Sequence, residues 1–222
     1  MLFKLLLVVI IGYLLGSIPF GLIFGRFKAN MDIRNYGSGR TGGTNVLRTM
    51  GKGAFLTVVI MDVLKGTTAV LLAKLVIGNG HIAIGSYQFG LPGAASLVAL
   101  ATVAGHIWPI FAGFKGGRGV GTYIGTMFAI SPAAALFGGE ILIIVAGLSG
   151  FASFGSLAGI VSIYALLLPL TFIYGSPIEY LFYAFVSAVL IAAVHRDNIV
   201  RLFTGKERKL SQKAESRSQT PA

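Results

Sequence analysis

An all-α, polytopic membrane fold is predicted for this chain from three observations. Of its 222 residues 55% are hydrophobic and only 11% charged. The mean hydropathy is +0.83. The apolar residues fall in long runs separated by charged or glycine-rich stretches. A bilayer's hydrocarbon core is about 30 Å thick and takes roughly 20 apolar residues to cross as a helix, so the chain has room for several spans and for no sizeable soluble domain.

In chain order the runs predict seven transmembrane helices, near residues 2–24, 53–77, 93–111, 120–130, 133–148, 157–174 and 178–194. The opening MLFKLLLVVI looks like a signal peptide with Lys4 as its basic start, but the apolar stretch continues past it with no A-x-A site, which predicts an uncleaved first span. The fourth and fifth runs are short and meet at Ser131-Pro132, so a broken or re-entrant hairpin is the alternative to two crossings. Orientation follows from the positive charges. The stretch after the first span holds Arg26, Lys28, Arg34, Arg40, Arg48 and Lys52 against Asp32 alone, which predicts a cytoplasmic loop and an external N-terminus. Alternation then puts Lys115 and Arg118, the 153–156 loop and the C-terminus on the cytoplasmic side. The opposite loops, 78–91, 131–132 and 175–177, hold no Lys or Arg, and Lys4 is the one mild violation. Residues 1–203 thus form a single integral-membrane domain, and the polar, basic residues 204–222 read as a disordered cytoplasmic tail near anionic lipid.

Glycines at helical spacing, Gly12/Gly16, Gly21/Gly25, Gly117/Gly121/Gly125 and Gly155/Gly159, read as close-packing faces between membrane helices. The net charge of +11 favours anionic partners, lipid headgroups or phosphorylated substrates, while so apolar a chain excludes nucleic acid. With no Cys and no H-E-x-x-H pair, neither thiolate chemistry nor a metal site is expected, and no cofactor motif is present.

Three polar clusters carry the chemistry. In the first, residues 36–48, glycines let backbone N–H groups converge, Ser38, Thr44 and Asn45 add hydrogen-bonding groups, and Arg48 offers a guanidinium fork to an oxyanion. A flexible loop touching headgroups is the other reading. In the second, residues 105–122, a Lys115-Gly116-Gly117-Arg118-Gly119 turn opens the helix near Val120 and forms a second anion site. It is not a Walker loop, because the glycines are too close together and Arg118 is followed by Gly119. His106 there reads as a structural hydrogen-bonding group. In the third, residues 195–201, helical spacing puts His195 and Asn198 on one face, whereas Asp197 points elsewhere. Within the second span Asp62 and Lys65 are three residues apart and read as a neutralising pair, or as part of a proton path.

Together the blocks GSGRTGGTNVLR, GHIWPIFAGFKGGRGVGT and HRDNIVRL resemble, in order and spacing, those of the bacterial, membrane-integral acyl-phosphate:glycerol-3-phosphate acyltransferase family. The resemblance implies acyl transfer from acyl phosphate to the 1-hydroxyl of glycerol 3-phosphate at the cytoplasmic face of the bacterial plasma membrane, giving lysophosphatidate and phosphate for phospholipid synthesis. It implies Ser38, Arg48, His195 and Asn198 as catalytic residues, and Thr44, Asn45, Lys115, Gly116, Gly117, Arg118, Gly119 and Ser153 as substrate-binding residues. Ser156 competes with Ser153 for its part. The chain departs from the family pattern at Arg40-Thr41 and Gly42-Gly43, and at Arg118, where the family has Lys. The implied mechanism is direct transfer, the substrate's own phosphate taking the hydroxyl proton; the chain has no Cys and no G-x-S-x-G elbow for an acyl-enzyme, and the absence of an H-x-x-x-x-D motif disfavours an acyl-CoA type of mechanism. The rival class is a transporter or channel for a phosphorylated or anionic solute, which would need polar residues along a path through the bilayer rather than gathered at one face.

Overall fold

The structure, a computed structural model, describes residues 1–84 and 87–216. Its helices are α1 (Leu2–Gly16), α2 (Phe20–Ala29), α3 (Gly43–Met50), α4 (Lys52–Ile77), α5 (Leu91–Ile107), α6 (Val120–Ile130), α7 (Pro132–Ser149), α8 (Ala152–Phe172), α9 (Ile178–Val194) and α10 (Arg196–Phe203). Between α4 and α5 the chain makes a short antiparallel hairpin, β1 (Ile82–Ile84) and β2 (Tyr87–Phe89). That stretch was expected to be a plain loop, and residues 85–86 within it lie outside the described residues.

The breaks between helices follow from local chemistry. Pro19 lacks an N–H and interrupts the first apolar run, while the Ser17 hydroxyl donates back to the Tyr13 carbonyl at 2.8 Å. The Ile18 carbonyl, which loses its helical partner there, accepts from the Lys65 ammonium at 2.9 Å. Gly51, at φ 85°, separates α3 from α4. Pro132 occupies the first position of α7, where its missing N–H costs nothing.

Five stretches are long and apolar enough to cross a bilayer: Leu2–Ala29, Lys52–Ile77, Leu91–Ala112, Pro132–Ser149 and Ala152–Phe172. Ile178–Val194 joined to Arg196–Phe203 across a 65° bend makes a sixth. Of the seven spans expected, α6 is the one that falls short. Its 11 residues reach only about 16 Å at the α-helical rise, roughly half the hydrocarbon thickness.

Small residues set the packing, as the glycine spacing predicts. A Cβ on Gly16 would lie 2.1 Å from the Thr102 carbonyl oxygen, and one on Gly105 would lie 2.3 Å from that of Tyr13, so α1 and α5 meet backbone to backbone. Gly125 and Gly66 do the same for α6 and α4, and Gly155 for α8 against α7. The main core lies between α5, α6, α8 and α9, where Tyr123 and Tyr183 are buried with ring centroids 5.8 Å apart. Large apolar side chains such as Leu75, Leu148 and Phe172 project outward, as lipid-facing residues do.

Candidate active site

The first cluster is folded around Asn45. Its side-chain amide donates to the carbonyls of Ile33 at 2.9 Å, Tyr36 at 3.2 Å and Arg40 at 2.9 Å, and its Oδ1 accepts from the Ser38 N–H at 3.0 Å. Buried at 2% exposure, Asn45 therefore shapes the loop and has no N–H left to donate to a ligand. Asp32 starts the loop by accepting from the Arg34 N–H and pairing with its guanidinium, which holds the Asp32 carboxyl below its ordinary range. Arg34 also donates to the Ala112 carbonyl at 3.1 Å and so ties the first cluster to the second.

The second cluster is held by main chain. The Gly117 N–H donates to the His106 carbonyl at 3.1 Å and the Gly116 N–H to that of Ile107 at 3.2 Å. Gly119, at φ 85°, turns the chain into α6 in a conformation that favours glycine. The two clusters touch where a Cβ on Gly42 would sit 3.6 Å from the Gly117 Cα.

The third cluster sits at the bend between α9 and α10. The His195 Nδ1–H donates to the Ile191 carbonyl at 2.8 Å, which leaves Nε2 with its lone pair. One turn on, the Asn198 amide donates to Glu207 Oε1 at 2.7 Å, and the Ser153 hydroxyl reaches the same oxygen at 2.9 Å. Arg201 Nε donates to the other carboxylate oxygen at 2.9 Å. Ser153 and not Ser156 faces this group, since the Ser156 hydroxyl is turned back onto the Ala152 carbonyl of its own helix.

All three clusters open onto one cavity of about 680 Å³. Of the residues singled out by sequence, Ser38, Thr44, Asn45, Arg48, Gly117, Arg118, Gly119, Ser153, His195 and Asn198 line it; Lys115 and Gly116 do not. Lys115 is exposed, and Gly116 is buried against the His106 carbonyl. The cavity also has an apolar arm between α4, α6 and α7, walled by Phe55, Val59, Ile124, Phe128, Leu136 and Ile143.

Among the lining residues that sequence reasoning missed as site members are Arg40, Asp62, His106 and Glu207. Arg40 was visible only as a departure from the family pattern. Glu207 lies in the tail that was expected to be free of structure, yet its carboxylate joins Ser153, Asn198 and Arg201. Beyond it the chain passes alongside Arg48, which donates to the carbonyls of Arg208 and Lys209, while the Ala214 N–H donates to the Arg48 carbonyl. Residues 217–222 of the tail lie outside the described residues.

The site is strongly positive. Burial and the neighbouring Arg40 pull Arg118 down to about 10, which leaves it charged at neutral pH, and burial lowers Arg48. Burial, and after it the charge of Arg118, lowers His195 to about 4 and keeps its ring neutral. The Nε atoms of Arg48 and Arg118 and the Oδ1 of Asn198 are buried without a protein hydrogen-bond partner. Buried guanidinium N–H groups of this kind are matched by oxyanions. Among the described residues there is no group of three or more His, Asp or Glu arranged to hold a metal ion.

Comparison with known proteins agrees with this arrangement. The family model described as glycerol-3-phosphate acyltransferase matches residues 6–205. The chain is 59% identical to glycerol-3-phosphate acyltransferase 3 of Dehalococcoides mccartyi, over 95% of this chain and 98% of that one. It is 41% identical to the glycerol-3-phosphate acyltransferase of Aquifex aeolicus, over 93% and 99%. Among solved structures, the glycerol 3-phosphate form of PlsY (YgiH), an integral membrane glycerol 3-phosphate acyltransferase, superposes with a TM-score of 0.80 at 38% identity, covering 92% of this chain and 94% of that one. The lysophosphatidic acid form of PlsY gives 0.78 at 37% identity. With its three clusters meeting in one basic cavity and its similarity running nearly end to end, the chain belongs to the glycerol-3-phosphate acyltransferase family.

Proposed function

We propose that this chain transfers a fatty acyl group from an acyl phosphate to the 1-hydroxyl of glycerol 3-phosphate, releasing lysophosphatidate and inorganic phosphate at the cytoplasmic face of the bacterial plasma membrane. The observation that carries this reading is the lining of the cavity. A pocket lined by Arg40, Arg48 and Arg118 suits phosphate groups, and the apolar arm leading from it suits an acyl tail. The similar structures were solved in forms named for glycerol 3-phosphate and lysophosphatidic acid, the acceptor and the product of this reaction. The orientation rests on charge: the basic clusters share one face, and the loops of the other carry no Lys or Arg.

In the proposed reaction the 1-hydroxyl oxygen attacks the acyl carbonyl carbon, and the bond from that carbon to the bridging phosphate oxygen breaks. The hydroxyl proton passes to a phosphate oxygen, so no protein base of high pKa is needed. His195 suits this scheme. Its Nδ1–H is committed to Ile191, so a neutral Nε2 accepts a hydrogen bond from the hydroxyl and aims its oxygen at the carbonyl. Arg48 and Arg118 stabilise the negative charge on the departing phosphate, and Ser38, Asn198 and Ser153 orient the reactants. Thr44 and the free N–H groups of the first turn of α3 supply further donors. The catalytic domain on this reading runs through Glu207, which organises Ser153, Asn198 and Arg201, and not to residue 203.

Phosphate release by the purified protein from palmitoyl phosphate, set against thiol release from palmitoyl-CoA, tests the donor. Turnover with palmitoyl phosphate alone supports the reading; turnover with palmitoyl-CoA alone refutes it.

A further inference from the structure

Beneath the second cluster, inside the bundle, lies a chain of buried polar groups that the proposed reaction does not yet use. Asp62 Oδ1, in α4, pairs with the Lys65 ammonium at 2.9 Å and with His106 Nδ1, in α5, at 3.4 Å. Lys65 is anchored to the Ile18 carbonyl at the break between α1 and α2. The Thr122 hydroxyl, in α6, also reaches His106 Nδ1, at 3.1 Å. Asp62 and Lys65 are 4% and 5% exposed and His106 is 7%. Burying this many charged and polar groups in a membrane bundle is costly, and four segments converge to hold them.

The far end of the imidazole shows what the cluster holds. His106 lines the cavity, as does Asp62. The ring edge lies so close beneath the second cluster that a Cβ on Gly117 would be 2.1 Å from Nε2. Nδ1 is occupied by Asp62 and Thr122, whereas Nε2 is the ring atom next to Gly117 at the cavity wall. Asp62 and Lys65 cancel in charge. With Nδ1–H held by Asp62, the ring becomes an Nε2–H donor when a monoanionic phosphate seated above it passes its proton to Nε2, leaving an imidazolium between the phosphate dianion and the carboxylate.

We propose that His106 is a substrate-binding residue whose Nε2 donates to a phosphate oxygen in the basic cavity, and that Asp62 is the positioning residue that fixes its ring. This rests on the acyltransferase reading above. The same chemistry serves the phosphate of either substrate, and measuring KM for both identifies which one is bound.

The test uses two amides that mimic opposite ends of the imidazole. Asn in place of His106 keeps a polar group near Nδ1 but removes the Nε2 end; Gln keeps a donor near Nε2. A purely structural role predicts that His106→Asn is the milder change. A binding role predicts the reverse. In full-length protein purified in detergent, with melting temperature as the check on folding, His106→Asn is expected to raise KM for one phosphate substrate by about tenfold, one charge-assisted hydrogen bond's worth, with kcat changed far less. His106→Gln is expected to recover most of the loss. Asp62→Asn should raise the same KM, and adding it to His106→Asn should raise it little further, because Asp62 acts through the ring. A rise for glycerol 3-phosphate alone assigns His106 to the acceptor, and a rise for palmitoyl phosphate alone assigns it to the donor. Wild-type KM for both substrates in a folded His106→Asn protein, or a Gln variant worse than the Asn variant, overturns the inference. Absence of turnover by the unmodified protein would instead overturn the acyltransferase reading.

Discussion

The two glycine-rich loops reach the same cavity by opposite means. The first takes its shape from one side chain, Asn45, whose amide gathers the carbonyls of Ile33, Tyr36 and Arg40 and the N–H of Ser38. The second takes its shape from main-chain bonds to His106 and Ile107 and from glycines pressed against them. A loop held by a side chain fails when atoms are removed. A loop held by close backbone contact fails when atoms are added. The difference also separates residues that bind from residues that shape, which a list of polar positions does not.

The largest effect is expected where a side chain offers its charge to the cavity and otherwise holds only exposed tail carbonyls. Arg48→Ala removes a half-buried guanidinium that lines the cavity and should lower kcat/KM by at least about 100-fold, the scale of one lost oxyanion donor, with only a small drop in melting temperature as the exposed bonds to Arg208 and Lys209 are lost. Asn45→Ala should break the first loop, leaving its amide partners unsatisfied at a cost of about 2 kcal/mol or more. Activity and melting temperature should fall together, and a melting temperature equal to wild type would show that the loop does not depend on this side chain. Gly117→Ala places a methyl against His106 Nε2 and should raise KM by about tenfold, on the scale of a displaced hydrogen bond. Its kcat should be nearly kept. Removing the exposed Lys115 by Lys115→Ala should change kcat/KM by no more than about twofold, as for surface charges; a large loss would bring Lys115 into the cavity.

Acid provides a further probe. His195 titrates near 6.5 when unfolded and is lowered to about 4 in the fold. Between those values the unfolded chain binds the extra proton, so His195 makes the fold less stable as pH falls from 6.5 towards 4, and the loss levels off below both values. Melting temperature against pH should show this slope, and His195→Asn should flatten it.

Most of this was legible in the sequence because membrane folding is governed by short-range rules. Apolar runs mark helices, basic residues mark one face, and glycines at helical spacing marked the contacts seen between α1 and α5 and between α7 and α8. The length of residues 120–130 already stood against a full crossing. What stayed hidden depends on the chain returning to a place it had left. Glu207 looked like one acid in a basic tail, and nothing local says that it meets Ser153, 54 positions earlier. Asn45 has the chemistry of a ligand and becomes a scaffold only once its loop is wound around it. His106 makes the structural contacts its position suggests, to Asp62 and Thr122, but no spacing rule tells that Gly117 lies on its ring.

The central claim, that one basic cavity with an apolar arm moves an acyl group between two phosphate-bearing substrates, is tested most directly by stoichiometry. Purified protein is given palmitoyl phosphate with and without glycerol 3-phosphate, and lysophosphatidate and inorganic phosphate are measured together. The account predicts one lysophosphatidate for each phosphate released, and almost no release without the acceptor. Release that does not depend on glycerol 3-phosphate, or that yields no lysophosphatidate, would contradict it.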